Sequence, residues 1–145
     1  MDRHIIDMWI GSNINKFEAT RMPEIRSKLE QLDSSDLTSI SSIELKDPTM
    51  MLIISIFVGI FGVDRFMLGQ TGMGFLKLAF IPIFLSLFFV LVIFSTLLWF
   101  FGVTLWLPWI LMYSFWAVDL FLIQKLTKQY NYQKITNEFK RMNIL

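Results

Sequence analysis

From Leu78 to Val118 the chain runs for 41 residues without one charged side chain. At about 1.5 Å per residue a single helix of that length would reach roughly 60 Å, twice the roughly 30 Å hydrocarbon core of a bilayer. The stretch must therefore turn back at least once. The rest of the composition agrees: 54% of the 145 residues are hydrophobic and only 17% are charged, against roughly 45–50% and about 25% in soluble domains. Mean hydropathy is +0.56. This balance excludes an ordinary soluble enzyme and predicts a small all-α, multi-pass membrane protein.

Net charge is +1, so nothing in the total points to nucleic acid as a partner. The distribution is more informative. Residues 1–49 carry six Lys or Arg against nine acids, whereas residues 124–145 carry five against Glu138 alone. Lys and Arg close to a membrane span tend to stay in the cytoplasm, which predicts a cytoplasmic C-terminal tail. Only Lys46 lies close to the first apolar segment on its other side, so the position of the N-terminal segment is left open. With no cysteine there is no disulfide framework or thiol chemistry. The first ten residues include Asp2 and Asp7 and lack the basic start and apolar run of a signal peptide, so the spans themselves are expected to direct insertion.

Three parts are expected along the chain: an N-terminal helical segment and linker over residues 1–47, a transmembrane domain over 48–126, and a basic tail over 127–145. In the first part, Pro23 can open a helix, and Ile25, Leu29 and Leu32 recur at helical spacing between charged residues. Asp33 to Ser42 reads as caps, turns and linker. Pro48 begins the first apolar helix. Its uncharged part ends at Val63, which is short for a crossing, and continuation through Asp64 and Arg65 to Leu68 makes the length adequate. The turn Gly69-Gln70-Thr71-Gly72-Met73-Gly74 follows, then a helix from about Phe75 that contains Pro82, breaks near Gly102 and Pro108, and a last helix from about Thr104 to Leu126. This counts two to three transmembrane helices, with three favoured.

Four ionisable residues interrupt the apolar part: Asp64, Arg65, Lys77 and Asp119. A charge at membrane depth costs on the order of 3 kcal/mol, more if unpaired, so these residues should pair or reach water. Three crossings bring Arg65, Lys77 and Asp119 to one face of the bilayer, whereas two carry Asp119 toward the opposite face. A buried or interfacial Arg65–Asp119 pair is expected as a structural clamp. Lys77, at a helix start, is expected to snorkel to water. Around them Gly59 and Gly62 permit close helix approach, Ser55 with Gly59 forms a small-xxx-small spacing, and Gly69, Gly72 and Gly74 permit a tight turn back into the membrane. A phosphate-cradling loop is excluded, since no strand precedes the glycines and no Gly-Lys-Ser/Thr follows.

The run from Gly59 through Asp64-Arg65-Phe66 to Gly69, Gly72 and Gly74, followed by Trp116-Ala117-Val118-Asp119, resembles the TM2 domain. That family is known by a glycine-rich apolar helix ending in Asp-Arg-Phe, a glycine turn and a later Trp-x-x-Asp. The resemblance covers roughly residues 48–134, and the N-terminal segment is similar to that of bacterial, Bacteroides-type members. It implies a multi-pass protein of the bacterial inner membrane, held by Gly59, Gly62, Asp64, Arg65, Phe66, Gly69, Gly72, Gly74, Trp116 and Asp119, to which the charge reading adds Lys77. Two features depart from the family pattern. Met67 replaces a usual tyrosine, and the interval from Gly74 to Asp119 is longer by nearly one membrane-crossing helix.

The resemblance supplies no reaction, and animal members are associated with signalling at membranes. The one histidine, His4, has no companion set for metal or triad chemistry, and Trp99, Trp106, Trp109 and Trp116 read as interfacial or packing aromatics. No catalytic, cofactor or metal site is expected. The expected function is a non-enzymatic interaction or assembly module, with the bilayer and another membrane protein or a second copy as partners. The alternatives are a small oligomeric channel or transporter subunit, and an anchor for the N-terminal segment.

Overall fold

The computed structural model describes residues 2–97 and 106–144. Seven α-helices occur among them: α1 (Asp2–Asn13), α2 (Met22–Leu29), α3 (Ser34–Ser41), α4 (Pro48–Val58), α5 (Val63–Met67), α6 (Thr71–Leu97) and α7 (Leu107–Arg141). There is no strand among the described residues. Trp99, the break at Gly102 and the helix start at Thr104 lie outside them. The chain divides into a terminal unit, residues 1–51 with 124–145, and an apolar unit, residues 52–123.

The terminal unit has its own hydrophobic core. Ile25 and Leu29 of α2, and Leu32 beyond it, turn their stripe inward onto Ile6 of α1, Phe17, and Leu37 and Ile40 of α3. The same core contains Ile135 and Phe139 of α7. The expected separate basic tail is therefore a helix built into this unit. Its buried stripe steps by four residues through Thr127, Asn131, Ile135 and Phe139, one face of a helix. α7 ends at Asn143 in the left-handed region. Asn143 N donates to the Lys140 carbonyl and Ile144 N to the Phe139 carbonyl, a Schellman ending with Asn where Gly is more usual.

The expected linker at Ser34–Ser41 is also helical. Its hydroxyls bond back to the preceding turn, as in Thr38 Oγ1 to the Ser34 carbonyl at 2.9 Å, and burial of Leu37 and Ile40 outweighs the low helix propensity of serine. Asn131 joins three segments: its Oδ1 accepts from Lys46 N at 3.0 Å, and its Nδ2 donates to the carbonyls of Lys16 at 3.0 Å and Lys46 at 2.7 Å. Asn131→Ala strands those half-buried backbone groups at Lys16 and Lys46. It is expected to cost roughly 2–4 kcal/mol in the unfolding of the terminal unit, read by thermal denaturation in mild detergent. Beside it Tyr132 Oη donates to Glu24 at 2.8 Å. That bond, with the Lys28 ammonium, holds the Glu24 carboxyl below the usual carboxylate range.

Two segments are long and apolar enough to cross a membrane: Thr71–Phe94, mean hydropathy 2.6, within the apolar unit, and Trp109–Arg141, mean hydropathy 1.3, which begins there and runs on into the terminal unit. Their side chains are mostly exposed, which separates them from the core helices of a soluble protein. The partners advance along α6 while receding along α7: Phe80 meets Phe115 at 6.1 Å between ring centroids, and Phe84 and Phe88 meet Trp109 at 5.9 and 5.7 Å. This is the pattern of an antiparallel hairpin. Pro82 stays inside α6, and Pro108 lies in the first turn of α7, where proline is tolerated.

The first apolar helix differs from expectation. It does not continue to Leu68. α4 stops at Val58, a 3-10 turn follows over Gly59–Phe61, and Gly62 breaks the chain with φ +73° before α5. Eleven helical residues reach only about 16 Å, so no third helix of crossing length exists among the described residues.

Candidate functional site

The break at Gly62 positions the charges. Its carbonyl accepts from the backbone N–H of Arg65 and Phe66, starting α5. A Cβ on Gly62 would lie 2.8 Å from the Gly74 carbonyl oxygen and 3.2 Å from Lys77 Cβ, so the turn packs directly on the first turns of α6. At the other end of α5, Gly69 adopts φ +69°. There Gly69 N donates to the Phe66 carbonyl and Gln70 N to the Arg65 carbonyl, again a Schellman closure. Phe66 lies over Gly74, where a Cβ would meet its ring at 2.8 Å, and meets Phe75 edge-on at 5.1 Å. The Asp-Arg-Phe run is thus one short helix, fixed by a left-handed glycine at each end and by a phenyl ring seated on a third.

This packing brings all four charges into one cluster. Asp64, Arg65, Lys77 and Asp119 retain 0%, 6%, 8% and 7% of their accessible surface. Lys77 Nζ donates to Asp64 Oδ1 at 3.1 Å and Oδ2 at 3.0 Å, to Asp119 Oδ2, and to the Gly59 carbonyl at 3.2 Å. The Arg65 guanidinium donates through Nη2 to Asp119 Oδ1 and through Nη1 to Gln70 Oε1 at 3.0 Å. Ser55 Oγ approaches Asp64 Oδ2 at 3.4 Å. Two cations and two anions close on each other, leaving a quartet of zero formal charge. Attraction and hydrogen bonding offset the desolvation that each ion would suffer alone.

The structure bears on three sequence expectations here. Lys77 does not snorkel; it bridges both carboxylates. Arg65 and Asp119 do pair, within a four-member cluster. Their meeting requires no first crossing, because α4 is too short to carry Arg65 across a bilayer. Gln70, as the second acceptor for Arg65, was not singled out in the sequence, and its place directly after the Gly69 turn is the signal that could have found it. Trp116 stands one helical turn before Asp119 on the same face of α7. Its Nε1 is buried and, like Arg65 Nε, has no hydrogen-bond acceptor among the described residues. A Cβ on Gly72 would meet nothing within 4 Å, and nothing in the structure explains glycine there.

A family model, the TM2 domain, matches residues 44–121, more than half of the chain. The chain belongs to the TM2 domain family. The match takes in the whole of the apolar unit except its last two residues, with every member of the quartet. In this TM2 domain the Asp-Arg-Phe run and the Trp-x-x-Asp run are thereby joined physically, since each supplies ions to the same buried cluster. No curated protein and no solved structure matches the chain.

The quartet has limited chemical capacity. Every carboxylate oxygen is taken up by a cation, and the Lys77 ammonium has no donor to spare. No group of three or more His, Cys, Asp or Glu able to hold a metal occurs among the described residues. His4 is exposed on α1.

Proposed function

We propose that this TM2 protein is a non-enzymatic interaction module: a two-crossing hairpin anchors the terminal unit at the cytoplasmic face of a membrane. The observation that carries the reading is the shared core of the terminal unit. Residues before α4 and residues after Ile123 bury Ile25, Leu29, Ile135 and Phe139 together, so both connections of the apolar unit lead into one unit. A membrane segment whose two ends enter the same unit crosses an even number of times, which favours two crossings, by α6 and α7, over three.

Charge gives the side. Every Lys and Arg other than Arg65 and Lys77 lies in residues 1–51 or 124–145, and residues 78–118 carry none. The positive-inside bias then favours a cytoplasmic terminal unit. The quartet fits a clamp that fixes α5, α6 and α7 better than a transport path, because its ions are committed to each other rather than to a passing substrate. Partner recognition, of another membrane protein or a second copy, then falls to the terminal unit's outer surface.

Photo-crosslinking separates the readings. Photoreactive residues at exposed Arg3 and Asn137 should give an adduct of one discrete mass in native membranes, and purified protein in liposomes should pass no ions. Ion flux across those liposomes, with no adduct from either position, would instead support the channel subunit.

A further inference from the structure

We propose that α4 is a one-leaflet wedge, an apolar helix inserted only into the membrane leaflet at the quartet's end of the hairpin, and that it gives the protein a preference for membranes in which that leaflet is convex. This rests on the two-crossing reading. α4 and the turn after it present Ile53, Ile56, Phe57, Ile60 and Phe61 outward, with Phe57 78% exposed. A soluble surface does not display such a run. The opposite side is tied down: Ser55 approaches Asp64, and the Gly59 carbonyl holds Lys77.

Those ties fix the level of α4 along the hairpin. Lys77 lies near the start of α6 and Asp119 lies four residues before Ile123, so the quartet marks the hairpin end next to the terminal unit's connections. From Lys77 to Leu97 is about 30 Å of helix, enough for the whole hydrocarbon core. The segment around α4 therefore stays beside one end of the hairpin. Phe75 on α6 and Phe121 on α7 are also exposed at this level, so the collar around the quartet is apolar and suits acyl chains. At this end the apolar unit presents α4, α5, α6 and α7; at the other end the described residues present α6 and α7 alone. A body wider in one leaflet than in the other is matched by a leaflet that expands, as for amphipathic helices that sense curvature.

The test is sorting of the full-length protein between small and large unilamellar vesicles, taking only molecules with the terminal unit outward, selected through a C-terminal tag. Protein per membrane area should be about threefold or more higher on the small vesicles. The double variant Ile53→Asn/Phe57→Asn alters only exposed side chains and should lose the preference, whereas Ile53→Leu/Phe57→Leu should keep it. Equal density on both sizes, or an enrichment that survives the asparagine variant, would overturn the wedge. Impermeant labelling of single cysteines at Ser35 and Asn137 in the same samples reads the topology separately. Same-side labelling with no sorting defeats the wedge alone, and opposite-side labelling defeats the hairpin beneath it.

Discussion

Asp119→Leu is expected to cost roughly 3–5 kcal/mol and to deplete the protein from the membrane, because it leaves Arg65 and Lys77 buried with Asp64 as their only carboxylate. The informative comparison is the double variant Arg65→Met/Asp119→Leu. It removes one cation and one anion and keeps the Lys77–Asp64 contacts at 3.0 and 3.1 Å, so the remaining pair is neutral and hydrogen-bonded. Replacing a buried ion pair by apolar side chains of similar size is often close to neutral, so the double variant should recover most of the loss. Exchanging the two charges, Arg65→Asp with Asp119→Arg, should not recover it, since the introduced guanidinium would face the Lys77 ammonium. Steady-state level in the membrane and thermal unfolding in mild detergent read all three variants. Full rescue by the exchange would mean that Lys77 is not part of the cluster.

Gly62→Ala has the second large effect. A left-handed backbone costs a residue with a Cβ roughly 1–2 kcal/mol, and this Cβ would also sit 2.8 Å from the Gly74 carbonyl oxygen, backbone that cannot yield without moving α6. The combined loss should be roughly 3 kcal/mol or more. Gly72→Ala is the matched control. With open space around it inside α6, it should be neutral or should stabilise by up to about 1 kcal/mol. Denaturation midpoints of the two variants, measured side by side, check the contrast. Equal losses would show that glycine content, rather than the turn at Gly62, is what matters.

How much could be read from the sequence differs from one element to the next. The four charges were legible because an ion inside an apolar run has few options, and the glycines around Asp64 flagged a tight turn. The stripe of Ile25, Leu29 and Leu32 was legible from its spacing. What failed was the length of the first helix. Gly62 in an apolar run can be helical or left-handed, and only its packing against Gly74 and Lys77 selects the second. The C-terminal helix was hidden because its buried stripe includes Thr127 and Asn131, polar residues that break the apolar pattern; Asn131 is inside because it bonds the backbone at Lys16 and Lys46. α3 was hidden by its serines, which favour turns until Leu37 and Ile40 are buried.

These corrections share one consequence. With α4 short and residues from both sides of the apolar unit in one core, the two crossings proposed above fall to α6 and α7, with the quartet near the start of α6. Because the chain has no cysteine, single cysteines report topology without background. Impermeant maleimide should label Ser35→Cys and Asn137→Cys only from the cytoplasmic side of sealed membranes, and Gly102→Cys, within the uncharged stretch of sequence, only from the opposite side. Labelling of Ser35→Cys and Asn137→Cys from opposite sides would contradict the two-crossing hairpin.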